Sequence, residues 1–148
     1  MKVPPDFGVD DSQLSEATVP NDLRSAKEPE HCILRELMRC GYDEDTIFGI
    51  KLALEEALTN AIKHGNRNDT SKHIVIRYYV DPQRAVIMVR DEGNGFCPAT
   101  VPDPTAEENL ERPNGRGLML MQCYMTKVRF NEAGNEVWLL KERQDRLA

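Results

Sequence analysis

Glu56 and Asn60 stand four residues apart in the stretch LALEEALTNAIKHGN, residues 52–66, and Lys63 follows three positions later. On a helix, that step places the carboxylate and the carboxamide one above the other on a single face. A magnesium ion takes hard oxygen ligands and keeps several waters, so the Asn60 carbonyl together with phosphate oxygens would be enough to hold one. Glu56, a turn nearer the N-terminus, could take the proton of a hydroxyl or water aimed at a terminal phosphate. Lys63 could meet phosphate charge directly. The competing reading is that these residues are the solvated side of an amphipathic helix.

A second group of chemistry-bearing residues is DEGNGF, residues 91–96, where a strand pattern runs out into a long loop. An ionised carboxylate only accepts hydrogen bonds, so Asp91 can receive an exocyclic amine such as that of adenine. Gly93 and Gly95 lack a Cβ and let the backbone approach a flat base or sugar. A glycine-rich turn closing a strand is the plainer alternative, and a calcium loop would need further oxygen ligands after Gly95. The third group, NGRGL at residues 114–118, opens a predicted helix. Amides exposed at a helix start between Gly115 and Gly117 form a receptor for phosphate, and Arg116 offers a fork to its oxygens. Taken alone, the two glycines could simply break the loop before the helix. Leu118 reads as core, or as an apolar support beneath a base.

These groups need elements to position them. Residues 15–19 predict a short strand, and Pro20, Asn21 and Asp22 a turn and helix start leading towards Arg39. Pro29 is expected to split that helix or to mark its effective N-terminus, because proline removes a backbone donor. Asp43 predicts the N-cap of a second helix, with Glu44 and Asp45 at the positive end of its dipole. Its buried stripe is Ile47, Ile50, Leu54, Ala57, Leu58 and Ala61, and Lys63, His64 and Gly65 supply C-terminal end signals. HIVIRYYV and AVIMVRD alternate around a turn at residues 81–84 and predict an antiparallel hairpin.

Residues 97–114 carry four prolines and no apolar period, and read as a mobile lid. A short helix at residues 118–124 is followed by a second hairpin, KVRF and EVWLLK around a turn at 132–135. The sum is an α+β two-layer sandwich, a mixed, mostly antiparallel sheet with helices on one face. Residues 1–13, rich in Pro and Asp, are expected to be a loose N-terminal extension to a single domain spanning 14–148.

At 148 residues and 40% hydrophobic content, the chain can bury one core. A net charge of -6 without basic clusters argues against nonspecific nucleic-acid binding. No apolar run approaches the ~18 residues of a membrane span, and the N-terminus lacks the apolar centre of a secretion signal, so a soluble cytoplasmic protein is expected. Cys32, Cys40, Cys97 and Cys123 form no C-x-x-C pair and read as reduced thiols.

The order of the three groups carries more than any one of them. An E-x-x-x-N helix, a D-x-G-x-G turn after a hairpin, a long loop and G-x-G-L opening a helix resemble the Bergerat-fold (GHKL) ATPase superfamily, which includes gyrase, the ninety-kilodalton chaperone, histidine kinases and mismatch-repair ATPases. The forms EEALTNAIKHGN and GRGL are most similar to the anti-sigma-factor serine/threonine kinases of bacteria, and the resemblance spans residues 14–141.

The resemblance implies the Bergerat fold, with ATP and Mg2+ as ligands. It implies Glu56 as general base and Asn60 as magnesium ligand, Asp91 as the carboxylate that reads adenine, and Gly93 and Gly95 as walls of the pocket. Gly115, Arg116 and Gly117 match the phosphate-side motif that closes the lid, and Lys63 matches a phosphate-contacting lysine of related histidine kinases. The implied reaction is phosphorylation of a serine or threonine on a small anti-anti-sigma (STAS-domain) protein, with a sigma factor as the other partner. A homodimer is allowed by the resemblance, although no apolar stripe in the sequence demands one.

The sequence departs from these kinases at Glu55, where they often carry a small polar residue; the four-residue step to Asn60 favours Glu56 as the base. It departs again at Thr126-Lys127, where an acidic residue often follows GRGL. His31 lies in a helix without the paired-helix context of a phosphoacceptor histidine, and His64 and His73 read as structural, which disfavours a histidine autokinase. The alternative function is a non-catalytic ATP/ADP-binding module that sequesters a partner protein.

Overall fold

A computed structural model describes residues 2–93 and 113–143, with the backbone course alone for 113–117. Five strands, β1 (Ser15–Pro20), β2 (His73–Val80), β3 (Arg84–Arg90), β4 (Lys127–Phe130) and β5 (Glu136–Glu142), form one sheet in the order β1-β2-β3-β5-β4. Every pairing in it is antiparallel. The helices are α1 (Leu23–Arg39), α2 (Glu44–Thr59) and α3 (Pro113–Tyr124). The two expected hairpins are present, β2 with β3 and β4 with β5, and β3 joins them by pairing with β5.

The pleat decides what each face buries. Ala85, Ile87 and Val89 of β3 and Val137 and Leu139 of β5 point into the main core with Ile50, Leu54 and Leu58 of α2. Their alternates, Val86, Met88, Trp138 and Leu140, are buried on the opposite face. β3 therefore reads as an unbroken apolar run because both its faces are covered. The helices cover one face, as expected.

Residues 2–14 cover the other face, in place of the loose extension expected there. Two single 3-10 turns, Pro5–Phe7 and Asp11–Gln13, lay this segment over the sheet. Phe7 is 0% exposed and stands edge-on to Trp138, with ring centroids 6.5 Å apart. Asp6 pairs with Lys127 at 2.9 Å and Arg129 at 2.7 Å. Arg84 Nη1 donates to the Phe7 carbonyl at 3.0 Å, and Asp11 meets Arg77 at 3.4 Å. The ion pairs are partly exposed and individually worth little, so the apolar anchor dominates. Phe7→Ala is expected to cost about 3 kcal/mol, lowering Tm by roughly 2–4 °C per kcal/mol for a chain of this size. Thermal unfolding checks this, and an unchanged Tm would show that the arm contributes nothing.

Asp22 caps α1, its Oδ1 accepting from the Ser25 N–H at 2.6 Å, and Asp43 caps α2 through the Thr46 N–H at 2.7 Å. Pro29 neither splits α1 nor starts it: the helix runs from Leu23 through it to Arg39. The donor lost at Pro29 is offset by packing, since Ala26, Pro29 and Ile33 are buried together on the α1 face. α2 and α3 approach closely at Gly49, where a Cβ would lie 2.7 Å from Tyr124 Cδ1.

Candidate functional site

α2 does not end at the expected Lys63-His64-Gly65 signal as an α-helix. It continues from Asn60 to Gly65 as a π-helical turn, closed by the Asn66 N–H on the Ala61 carbonyl at 2.7 Å. Such wide turns are costly and recur at functional sites. Asn60 is the hinge between the two helical forms, its N–H shared between the Glu56 and Ala57 carbonyls. Glu56 thus keeps its place one α-turn before Asn60. The Oδ1 of Asn60 is buried and has no hydrogen-bond partner among the described residues. A buried carbonyl left unpaired costs about 1–3 kcal/mol, which makes it a ready acceptor for a donor or a hard cation.

The two adjacent glutamates part company. Glu55 Oε2 lies 3.4 Å from Lys27 of α1, and Lys27 also reaches Glu30 at 3.5 Å. Glu30 is buried, and burial, then the charge of Glu55, pushes its carboxyl above the ordinary glutamate range. Glu55 therefore belongs to an α1–α2 contact. Glu56 has no ion pair or side-chain hydrogen bond among the described residues, and Lys63 is exposed on the π turn.

Asp91 follows β3, where its N–H donates to the Asn135 carbonyl at 2.9 Å. It is 8% exposed, and burial pushes its carboxyl above the usual aspartate range, partly opposed by the Gly93 N–H that donates to Oδ1 at 2.8 Å. Gly65 and Gly93 let this loop touch the π turn. A Cβ on Gly65 would fall 2.2 Å from Asp91 Oδ2, and one on Gly93 would fall 2.0 Å from the Gly65 carbonyl oxygen. Neither contact admits a side chain. The π turn that begins at Asn60 thus ends against the Asp91 carboxylate.

α3 opens at Pro113, before the expected start at Leu118, so Gly115, Arg116 and Gly117 lie inside its first turns instead of preceding it. Proline suits a first helical position, where its missing N–H has no partner to lose. α3 packs against α2 and the π turn, and Leu118 is half-buried. Gly95 and most of the expected lid, residues 97–112, lie outside the described residues. Among the described residues no three His, Cys, Asp or Glu side chains gather as a metal site, and no helix is long and apolar enough to cross a membrane. Asn66, which the sequence reading passed over, is fully buried beside Gly65. Its only sequence signal was an asparagine where a helix should end.

Residues 19–141 match the family model of the histidine kinase-like ATPase domain, and the chain belongs to that family. Within it, the chain groups with the anti-sigma-factor serine/threonine kinases. Serine-protein kinase RsbW of Bacillus subtilis is 35% identical over 113 residues, 70% of this chain and 69% of its own. The anti-sigma F factor of Anoxybacillus flavithermus is 34% identical over 95 residues, 62% of this chain and 64% of its own. A solved structure of RsbU and RsbW domains from Mycobacterium tuberculosis aligns with a TM-score of 0.58 at 16% identity. It covers 88% of this chain and 32% of the longer one, a likeness of fold.

Proposed function

We propose that this chain transfers the γ-phosphoryl group of ATP to a serine or threonine of a small anti-anti-sigma (STAS-domain) protein, and that it also binds a sigma factor. The observation that carries the reading is the buried Asn60 Oδ1, without a partner among the described residues, one helical turn after Glu56 and one wide turn before the Gly65–Asp91 contact. Asp91 accepts the adenine amine, and Gly65 and Gly93 let the π turn and the strand-end loop close on each other to hold its carboxylate in place. Asn60 Oδ1 and the phosphate oxygens would hold Mg2+, which neutralises charge on the triphosphate. This division suits a site where the described residues bring no cluster of acidic ligands.

Glu56 receives the proton of the attacking hydroxyl as its oxygen bonds to the γ-phosphorus and the bond from that phosphorus to the β–γ bridging oxygen breaks, leaving ADP. In this scheme Lys63, Arg116 and the backbone between Gly115 and Gly117 would bind the phosphates, and Gly95 and Leu118 would serve the base. Positioning and electrostatics supply most of the rate, as phosphoryl transfer asks little covalent chemistry of the protein. A homodimer is compatible with the scheme and is not required by it.

The test is incubation of the protein with γ-labelled ATP, magnesium and the STAS-domain proteins of the same organism. Label is expected on a serine or threonine of one of them, with GTP a poor donor. Tight ATP binding with no label on any partner would instead favour a nucleotide-gated binding module, in which bound ATP or ADP biases partner affinity without chemistry.

A further inference from the structure

Asn66 and Asn21 are 0% and 4% exposed, and together they make a closed hydrogen-bonded network. Asn66 Oδ1 accepts the Glu92 N–H at 2.7 Å, and its Nδ2 donates to Asn21 Oδ1 and to the His73 carbonyl, each at 3.0 Å. Asn21 Nδ2 donates in turn to the Asp69 carbonyl at 3.0 Å, and the Asn21 N–H to the Lys72 carbonyl at 3.2 Å. A buried carboxamide is retained only if its groups are paired, and here they are.

The position of Asn66 in the chain gives the network its meaning. Asn66 follows Gly65, whose Cα faces the Asp91 carboxylate, and Glu92 follows Asp91. The bond between them therefore ties the end of the π turn to the residue next to Asp91. The other hydrogen bonds between this loop and the rest of the chain, from the Asp91 N–H to the Asn135 carbonyl, from Asn135 Nδ2 to the Gly93 carbonyl and from the His73 N–H to the Glu92 carboxylate, run to the ends of sheet strands and not to the helix.

We infer that Asn66 is a positioning residue for adenine recognition: its carboxamide sets the distance between the Asp91 carboxylate and the helix that carries Glu56 and Asn60. Asn21 serves a different purpose. It touches neither Glu92 nor the Gly65–Asp91 contact, and it fastens the 66–73 loop to the start of α1. The inference rests on the reading of Asp91 as the adenine acceptor and adds a residue that never touches the nucleotide.

Two substitutions separate positioning from bulk stability. Asn66→Ala and Asn21→Ala each strip partners from buried groups, so both should lower Tm. Asn66→Ala should raise the KM for ATP about tenfold and shrink the ATP-over-GTP preference by a similar factor, with kcat at saturating ATP within about threefold. Asn21→Ala leaves the Asn66 carboxamide its His73 acceptor and its Glu92 donor, so KM and preference should stay within about twofold of the wild type. Equal losses of ATP affinity in the two variants, or an unchanged base preference in Asn66→Ala, would overturn the inference. If Asn66→Ala does not fold, hydrogen exchange on the wild-type chain decides. The Glu92 amide should be protected about as strongly as the Asn66 amide, and exchange at the rate of an open loop would refute the tie. Asp91→Ala keeps the two readings apart. If it too leaves base preference intact, the adenine site is misassigned; if it removes the preference while Asn66→Ala does not, only the positioning role fails.

Discussion

Glu56→Ala is expected to slow phosphoryl transfer to the protein substrate by about 10²- to 10⁴-fold, the usual contribution of a positioned general base. ATP affinity should change little, because Glu56 acts on the incoming hydroxyl and not on the nucleotide. The rival base is its neighbour, and the structure gives the two different surroundings. Glu55 is engaged with Lys27 of α1, whereas Glu56 shares its helix face with Asn60 and has no partner among the described residues. Glu55→Ala is therefore the control: it loosens a half-exposed ion pair and should leave the transfer rate nearly intact. Single-turnover transfer of labelled phosphate measures both variants. Full activity in Glu56→Ala, or its loss in Glu55→Ala alone, would move the base to the other carboxylate.

Asp91→Ala should abolish discrimination between ATP and GTP, and weaken ATP binding by about 10²-fold if a charged acceptor worth roughly 1.5–3 kcal/mol is removed. Titration calorimetry with both nucleotides checks this, and equal wild-type affinity for the two would refute the role. The raised pKa of Asp91 adds a sign that can be tested. Burial disfavours the charged form, so the folded protein holds the Asp91 proton more tightly than the unfolded chain does. The stability this gives is fully present below the ordinary aspartate value of 3.8 and is lost as pH rises through the folded pKa. Above the folded pKa the ionised, buried carboxylate thus weighs against the nucleotide-free fold. Asp91→Asn, which keeps an oxygen for the Gly93 N–H, should raise the Tm of the nucleotide-free protein at pH 7 while impairing recognition of adenine.

Much of the scaffold could be read locally. The caps at Asp22 and Asp43 and the α2 stripe depend on neighbours within a turn or two, and so do the two hairpins. Those patterns translated directly into elements. Pro29 misled because its lost donor is a local penalty, while the burial of its ring with Ala26 and Ile33 is a tertiary gain that no window of sequence displays. Lys63, His64 and Gly65 announce a helix end, but the signal is the same whether the last turn is α or π. The burial of Phe7 was hidden for another reason: its partner Trp138 lies near the opposite end of the chain, and the residues around Phe7 are those of a loose tail.

The candidate site was legible as residue types and spacings and not as contacts. Nothing in the chain between Gly65 and Asp91 signals that a missing Cβ at one must accommodate the carboxylate of the other. Asn66 was missed because its partners come from Asn21, His73 and Glu92, three separate stretches that only the folded sheet brings together.

The arm that carries Phe7 has a practical consequence for anyone preparing the protein. A trimmed version starting at β1 would uncover Val86, Met88, Trp138 and Leu140 as a greasy floor flanked by Arg77, Arg84, Lys127 and Arg129. Such a sample would clump on concentration, and its oligomers would reflect the cut and not the natural chain.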